Sequence, residues 1–338
     1  MTVSREPAVE FALVVESGPL EAQAVLLVDS LRTYGSRHAS AAVTAVSPRA
    51  ARRPDRATVR SLRRLGADYV TLDVDGACPA YPTSWRVHAL AELERRPGPE
   101  VLVQLDTDTM FVGDIGPLCV EATASARPVD VKGMGSTGPG DHYEPYWQAL
   151  CHLAGTTPDA LPFVATSVDH TRVRATHNGG FVAARRAAGL FVRAEELFRS
   201  SVDADLRPHA GTGLNVTAGH GEVGARGSEW WGSAQAVVSV AAASLGFEIG
   251  PLPAGVNVPM HSWDALDPKP DAVRHAHYHW LLADPVAVPN PMLDPAVLGS
   301  EETVAWLRGR IPLAARPEPT SSWLSRPARA AARLRRPG

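Results

Sequence analysis

The apolar positions of the first hundred residues fall into short continuous runs separated by longer mixed stretches. Phe11-Ala-Leu-Val-Val15 has the length of a buried strand, and Glu16-Ser-Gly-Pro19 breaks it. Glu21 to Tyr34 predicts a helix that is apolar on most faces, with Gly35 at its stop. Ala41 to Val46 predicts a second strand, Asp55 to Leu65 a helix studded with arginine, and Ala67 to Leu72 a third strand. Trp85 to Arg95 predicts a further helix, and Pro97-Gly-Pro99 leads from it into the strand Val101-Leu-Val-Gln-Leu105. Strands alternating with helices of this length predict right-handed crossovers and a mostly parallel sheet flanked by helices. The expected fold class is therefore α/β and Rossmann-like. Ligands in such sheets bind beyond the carboxyl ends of the strands.

The second half is less regular. His177-Asn-Gly-Gly180 predicts a turn, Phe181 to Ala184 a strand and Gly189 to Ser200 a helix. Glycines at 211, 213, 219, 221, 224, 227 and 232 predict a long binding or disordered loop, closed by a helix from Ser233 to Leu245. Arg274 to Trp280 predicts a late strand. From Arg316 the chain is rich in Pro, Ser, Ala and Arg, which predicts a solvated tail; a basic helix on an anionic membrane surface is the alternative.

Composition narrows the function classes. With 45% hydrophobic and 20% charged residues there is ample material for a core. The net charge of -3 gives no global positive field for nucleic acid, and the arginines from Arg49 to Arg64 read as a solvated helix face. No run approaches the ~20 apolar residues of a spanning helix, and the first residues lack the pattern of a signal peptide. Cys78, Cys119 and Cys151 have no CxxC spacing and predict buried thiols in a reducing compartment, so a cytoplasmic location is expected.

The chemistry-bearing candidate is Asp106-Thr-Asp108 at the end of an apolar strand. On an extended backbone the two carboxylates point the same way and can engage a divalent cation and the hydroxyls of a nucleotide or sugar. Read locally the pair is equally a structural turn, because Asp73-Val-Asp75 and Asp203-Ala-Asp205 repeat the spacing. His275, His277 and His279 would share one face of an extended strand, either as metal ligands or as polar residues facing solvent. Glu229, Trp230, Trp231 and Gln235 end the Gly-rich loop. The tryptophans suit a sugar face or a hydrophobic anchor, and Glu229 is a candidate base. Asn257, His261 and Asp264 could line an acceptor side or make local turns.

The arrangement resembles the GT-A fold glycosyltransferases, particularly bacterial and glycogenin-like members with a DxD motif. The resemblance runs roughly from Phe11 to Trp280 and is carried by short segments: Phe11 to Gly18, Pro82 to Leu90, VLVQLDTDTMFVGDI from Val101 to Ile115, His177 to Arg185, and His277-Tyr-His279. It implies a single domain whose residues 1–115 bind a nucleotide sugar and whose residues 116–315 bind the acceptor and complete a metal site, followed by the tail at 316–338. It implies Mn²⁺ or Mg²⁺ on Asp106, Asp108, His277 and His279. Donor contacts would come from Val15, Glu16, Ser17, Arg86, Asp106, Thr107, Asp108, Asn178, Gly179 and Gly180, with Gln235 added from its place beside the loop. Members often carry Asn-Lys where Trp85-Arg86 stands, and Arg meets phosphate with different geometry from Lys. The implied activity is metal-dependent transfer of a sugar from a nucleotide-diphosphate donor, a UDP-sugar favoured, to an acceptor.

Two other readings remain at this point. VLVQLDTDT is similar to the strand-end motif of haloacid dehalogenase phosphohydrolases, although Met110 stands where Thr or Val is usual and the motif lies late in the chain. A non-catalytic nucleotide-sugar-binding protein on the same fold is the other.

Overall fold

The first apolar run forms β1 (Val9–Val14), and alternation along it serves two cores at once. Phe11 and Leu13 pack into one hydrophobic cluster and Ala12 into another, as the period of two in a strand dictates. The computed structural model describes residues 6–218, 221–283 and 289–311. The tail expected at 316–338 lies outside the described residues.

After β1 come α1 (Pro19–Tyr34), β2 (Ala42–Ser47), α2 (Arg56–Arg64), β3 (Asp68–Thr71), α3 (Ser84–Arg95) and β4 (Val101–Leu105). Glu21 explains how the first two helices start. Its carboxylate accepts from Gly18 N at 3.0 Å, and its other oxygen accepts from Asp55 N and Thr58 Oγ1 at 2.8 and 2.7 Å. One side chain thus satisfies backbone donors at both helix entrances. Only Leu62 of α2 is buried, and Arg56, Arg60, Arg63 and Arg64 are exposed, so most of the arginine run is a solvated face.

The chain continues through β5 (Thr109–Phe111), β6 (Ala124–Pro128), α4 (Glu144–Leu153), the antiparallel pair β7 (Phe163–Ala165) and β8 (Arg172–Arg174), β9 (His177–Arg185) and α5 (Leu190–Asp203). In the Gly-rich stretch β10 (Thr217–Ala218) pairs with β11 (Gly221–Glu222), and α6 (Gly224–Ser228) follows. Then come α7 (Ser233–Ser244), β12 (Ile249–Gly250), β13 (Val258–Pro259), β14 (His275–His277), α8 (Pro295–Leu298) and α9 (Glu301–Arg308).

The large sheet has the order β12-β6-β9-β4-β1-β2-β3. β9 runs antiparallel to both its neighbours, and the other pairings are parallel. This is the α/β architecture expected: a large, mainly parallel sheet flanked by helices. The carboxyl ends of β1, β2, β3 and β4 share one edge. A smaller sheet, β13-β14-β5, is set against that edge with its own apolar cluster around Met110, Ala276 and Tyr278.

Two expectations are corrected. His177-Asn-Gly-Gly180 is no turn but the start of β9, buried throughout, and neither glycine has a positive φ. The strand expected to run to Trp280 stops at His277, and His279 adopts φ 52°.

Candidate active site

β4 delivers the Asp-Thr-Asp segment to the carboxyl edge, and the chain turns there at once. Thr109 Oγ1 donates to Asp106 O at 2.7 Å, and Asp106 N donates to Gly180 O at 3.0 Å. Residues 107 and 108 form a turn, so the extended alternation expected of the two carboxylates does not apply. Thr107 is buried between them and donates to Gln23 Oε1 at 2.9 Å. The two aspartates consequently face different partners.

Asp106 is ion-paired with Nη1 of Arg86, a nearly buried guanidinium from the first turn of α3 that also reaches Gly179 O at 3.5 Å. Burial alone would weaken the hold of Arg86 on its proton, but the charge and hydrogen bond of Asp106 outweigh it and the net shift is upward. The absence of a Cβ at Gly179 makes this pairing possible: a methyl there would lie 2.5 Å from Arg86 Nη2.

Asp108 faces two histidines. β5 pairs antiparallel with β14 so that Thr109 stands opposite His277, and Tyr278 N donates to Asp108 O at 3.0 Å. This register sets His277 Nε2 3.4 Å from Asp108 Oδ1 and His279 Nδ1 3.6 Å from Oδ2. The rings of His277 and His279 stack with centroids 3.9 Å apart. The two rings share a side, as the i, i+2 spacing expects, although the strand ends at His277 and His279 takes a left-handed backbone. Burial depresses the His277 imidazolium, yet Asp108, Asp106 and Asp130 reverse that, so its proton affinity lies above the ordinary histidine value. The site is thus built to hold positive charge at this point.

The third histidine belongs elsewhere. His275 is fully buried between Phe111 and Phe181, at centroid distances of 4.7 and 5.1 Å, and burial pushes it down to about 3. It is a neutral core group, neither solvent-facing nor beside Asp108.

Among the described residues, two groups of three could hold a cation, each with its ligand atoms within 4.8 Å of one another. They are Asp108, His277 and His279, and Asp130, His261 and His279. Asp106 belongs to neither. Two imidazoles and one carboxylate suit a transition-metal ion such as Mn²⁺ better than Mg²⁺, which prefers an all-oxygen shell. The residues present therefore fit the cation that the sequence implied.

Asn178 and Asn257 brace this cluster. Asn178 Oδ1 accepts from Gly180 N at 2.8 Å and from Asn257 Nδ2 at 3.1 Å, while Asn178 Nδ2 reaches Asp130 Oδ2 at 3.4 Å. A Cβ at Gly180 would lie 2.5 Å from His277 Nδ1 and 2.8 Å from Asn257 Oδ1. Both glycines of the Asn-Gly-Gly segment are thus required by side chains on neighbouring elements, not by turn geometry.

At the end of β1 the backbone is already engaged: Val15 N donates to Val46 O and Ser17 N to Arg52 O, both at 2.8 Å. Glu16 is buried and ion-paired with Arg49, which lies over the Trp85 ring at 5.0 Å. Arg49 is therefore no part of the solvated arginine face. Gln235 is half-buried in the first turn of α7.

Glu229 sits in a separate cluster. It accepts from Gly211 N at 3.0 Å, Arg207 Nη1 at 2.5 Å and Arg226 Nη1 at 3.3 Å, and these bonds lower its proton affinity. It is a weakened base that ties the Gly-rich loop together. Trp230 is buried against Phe198 as an anchor and Trp231 is half-buried near Tyr81, so this pair does not form an open sugar face. Asp73, Asp75 and Asp203 are exposed, and Asp205 is paired with Arg207 and Arg226. Neither of these copies of the Asp-x-Asp spacing belongs to a possible cation-binding group among the described residues. Asp264 is exposed.

Asp130 went unnoticed in the sequence. It follows β6, whose small residues, Ala-Ser-Ala, lack the apolar run that marked β4. A carboxylate just past a strand end was its only signal.

The sequence model of the Rhodobacterales glycosyltransferase domain matches residues 11–208, which run from within β1 through β9 and include the Asp106–Asp108 segment. No curated protein matches the chain. Solved structures similar to it include two glycosyltransferases. Mouse xyloside xylosyltransferase 1 in its apo form has 14% identity and a TM-score of 0.42, over 80% of this chain and 97% of that one. The apo WbbM bifunctional glycosyltransferase has 10% identity and a TM-score of 0.44, over 92% of this chain and 53% of that one. Among the described residues no helix is long and apolar enough to cross a membrane. With its family model spanning more than half the sequence, the chain belongs to the Rhodobacterales glycosyltransferase domain family and is a glycosyltransferase.

Proposed function

We propose that this glycosyltransferase takes its sugar from a nucleotide-diphosphate donor, a UDP-sugar in the first instance, and works with a divalent cation, Mn²⁺ ahead of Mg²⁺. The observation that carries the reading is the convergence of Asp108, His277 and His279 at the carboxyl edge of the sheet. When bound there, the cation supplies a counter-charge for the departing diphosphate. The chain's own groups do the rest. Asp108 and the two imidazoles hold the cation, and Asn178 and Asn257 brace the strand that carries Gly180 against His277. Arg86, locked to Asp106, brings a fixed positive charge to the donor side. Val15, Glu16 and Ser17 border the nucleotide end with Arg49 and Trp85, and Gln235 borders the sugar end. In this reading Asp106 acts through Arg86 on the donor, and Asp108 is the metal-binding member of the pair.

The phosphohydrolase reading is not favoured, since the family is one of glycosyltransferases. A panel of nucleotide sugars, assayed for nucleoside-diphosphate release with and without Mn²⁺, tests the proposal. Asp108→Asn should lower Mn²⁺-supported turnover by roughly 10²-fold or more, the scale of losing one preorganised charge partner. Asp75→Asn, at an exposed position, should leave it unchanged. An active Asp108→Asn with an inactive Asp75→Asn would sink the assignment.

A further inference from the structure

We infer that the protein carries a further divalent-cation seat, formed by Asp130, His261 and His279, which takes a borderline transition-metal ion such as Zn²⁺ and competes with the Asp108 seat for one shared imidazole. The inference rests on the cation reading above through His279, and the experiment below separates the two.

Three observations support it. First, the ligand atoms of Asp130, His261 and His279 lie within 4.8 Å of one another, a limit that the Asp108 group also meets. The rings of His261 and His279 stand edge to face with centroids 4.0 Å apart. Second, two atoms of these residues, Asp130 Oδ1 and His261 Nδ1, are buried with no hydrogen-bond partner in the protein. A buried carboxylate oxygen and a buried ring nitrogen left in this way are costly unless a ligand satisfies them. Third, the remaining oxygen of Asp130 is already oriented, because Asn178 Nδ2 reaches Oδ2 at 3.4 Å. Metal-binding carboxylates are commonly held by such an outer partner, which leaves the ligating oxygen free.

Arg127 does not consume the carboxylate by hydrogen bonding. Arg127 lies close enough to feel Asp130, but its hydrogen bonds go to Ser167 Oγ and Asn257 O, both at 2.9 Å. The donor set, two imidazoles and one carboxylate, matches zinc or another borderline ion and is a poor match for Mg²⁺ or Ca²⁺. His279 belongs to both groups. Filling the Asp130 seat therefore draws a ligand from the Asp108 seat, and one imidazole serves one cation at a time.

Titrating the full-length chain with Zn²⁺ against a chromophoric chelator tests this without reference to turnover. Wild type should hold one tight equivalent. Asp108→Asn and Asp130→Asn should each still hold one, through the seat left intact. His279→Asn, Asp108→Asn/Asp130→Asn and Asp108→Asn/His261→Asn should all lose it, with at least a tenfold fall in affinity. Circular dichroism of each variant guards against misfolding, and the Asp108→Asn/His261→Asn pair offers a second route if the variant lacking both aspartates does not fold. Loss of all tight Zn²⁺ in Asp108→Asn alone would overturn the further seat and leave the Asp108 cation reading standing. Loss in Asp130→Asn or His261→Asn alone, with Asp108→Asn unaffected, would overturn the Asp108 reading. Two tight equivalents in wild type would overturn the sharing of His279, and none would overturn both.

Discussion

Replacing Gly180 by alanine adds one methyl group at a position that touches no cation in the proposed site, yet the geometry makes it a test of that site. The added Cβ would lie 2.5 Å from His277 Nδ1, 2.6 Å from Cε1 and 2.8 Å from Asn257 Oδ1. Ordinary contact begins at 3.4 Å, so His277 must retreat by 3.4 − 2.5 = 0.9 Å. It cannot do so cheaply, because β14 is held between β13 and β5 and both His277 and Asn257 are buried. Overpacking of this kind costs about 1–3 kcal/mol. A ligand distance tolerates only about 0.2 Å, so the imidazole also leaves its cation. Urea unfolding should therefore show the loss of stability. The Mn²⁺ concentration for half-maximal donor turnover should rise by roughly 10–100-fold, the scale of disturbing a ligand's support. His277→Ala removes the two shortest contacts and leaves only Asn257 Oδ1 at 2.8 Å, so Gly180→Ala should cost less stability when added to it than in wild type. Wild-type stability and Mn²⁺ dependence in Gly180→Ala would refute the reasoning. So would a double variant in which the two stability losses simply add.

Two further predictions concern histidines and a buried acid. His277→Asn and His279→Asn should each raise the Mn²⁺ requirement at least about tenfold, whereas His275→Phe, placed between Phe111 and Phe181, should leave it unchanged; a metal effect from His275→Phe equal to that of His277→Asn would contradict the placement. Glu94 is buried on α3, accepts from Val192 N at 2.7 Å, and is pushed up to about 7 by burial. Its folded value lies above the unfolded one, so ionisation weakens the fold as pH rises from the unfolded value through about 7. Glu94→Gln should thus gain stability relative to wild type between pH 5 and 8.5, by up to about 3 kcal/mol, and a pH-independent difference in urea unfolding would count against it.

The first half of the fold was readable because its signals were local. Apolar runs and helical periodicity located β1 to β4 to within a residue or two, and Val101 to Leu105 matched β4 at both ends. The strand-end rule then pointed to Asp106 and Asp108. What could not be read was set by contacts distant in sequence. Gly179 and Gly180 looked like a turn because glycine pairs usually are one, whereas here Arg86 and His277 need the space. The separate fates of Asp106 and Asp108 depend on a tight turn closed by Thr109 and on Arg86 arriving from α3. Alternation set His277 and His279 on one side, but it foresaw neither the left-handed backbone at His279 nor the burial of His275 between Phe111 and Phe181. Asp130 and His261 met only because the ends of β6 and β13 converge beside His279.

The most direct test of the central claim is a thermal-unfolding titration of UDP and Mn²⁺, separately and together, on wild type and Asp108→Asn. A diphosphate and the Asp108 carboxylate repel each other until a cation bridges them, so the affinities should be coupled. Each ligand at about a hundredfold excess over its dissociation constant stabilises by roughly 2.7 kcal/mol. In wild type the combined shift should exceed the sum of the separate shifts, and Asp108→Asn should lose that excess. Additive shifts in wild type, or no shift with any nucleoside diphosphate, would contradict the account.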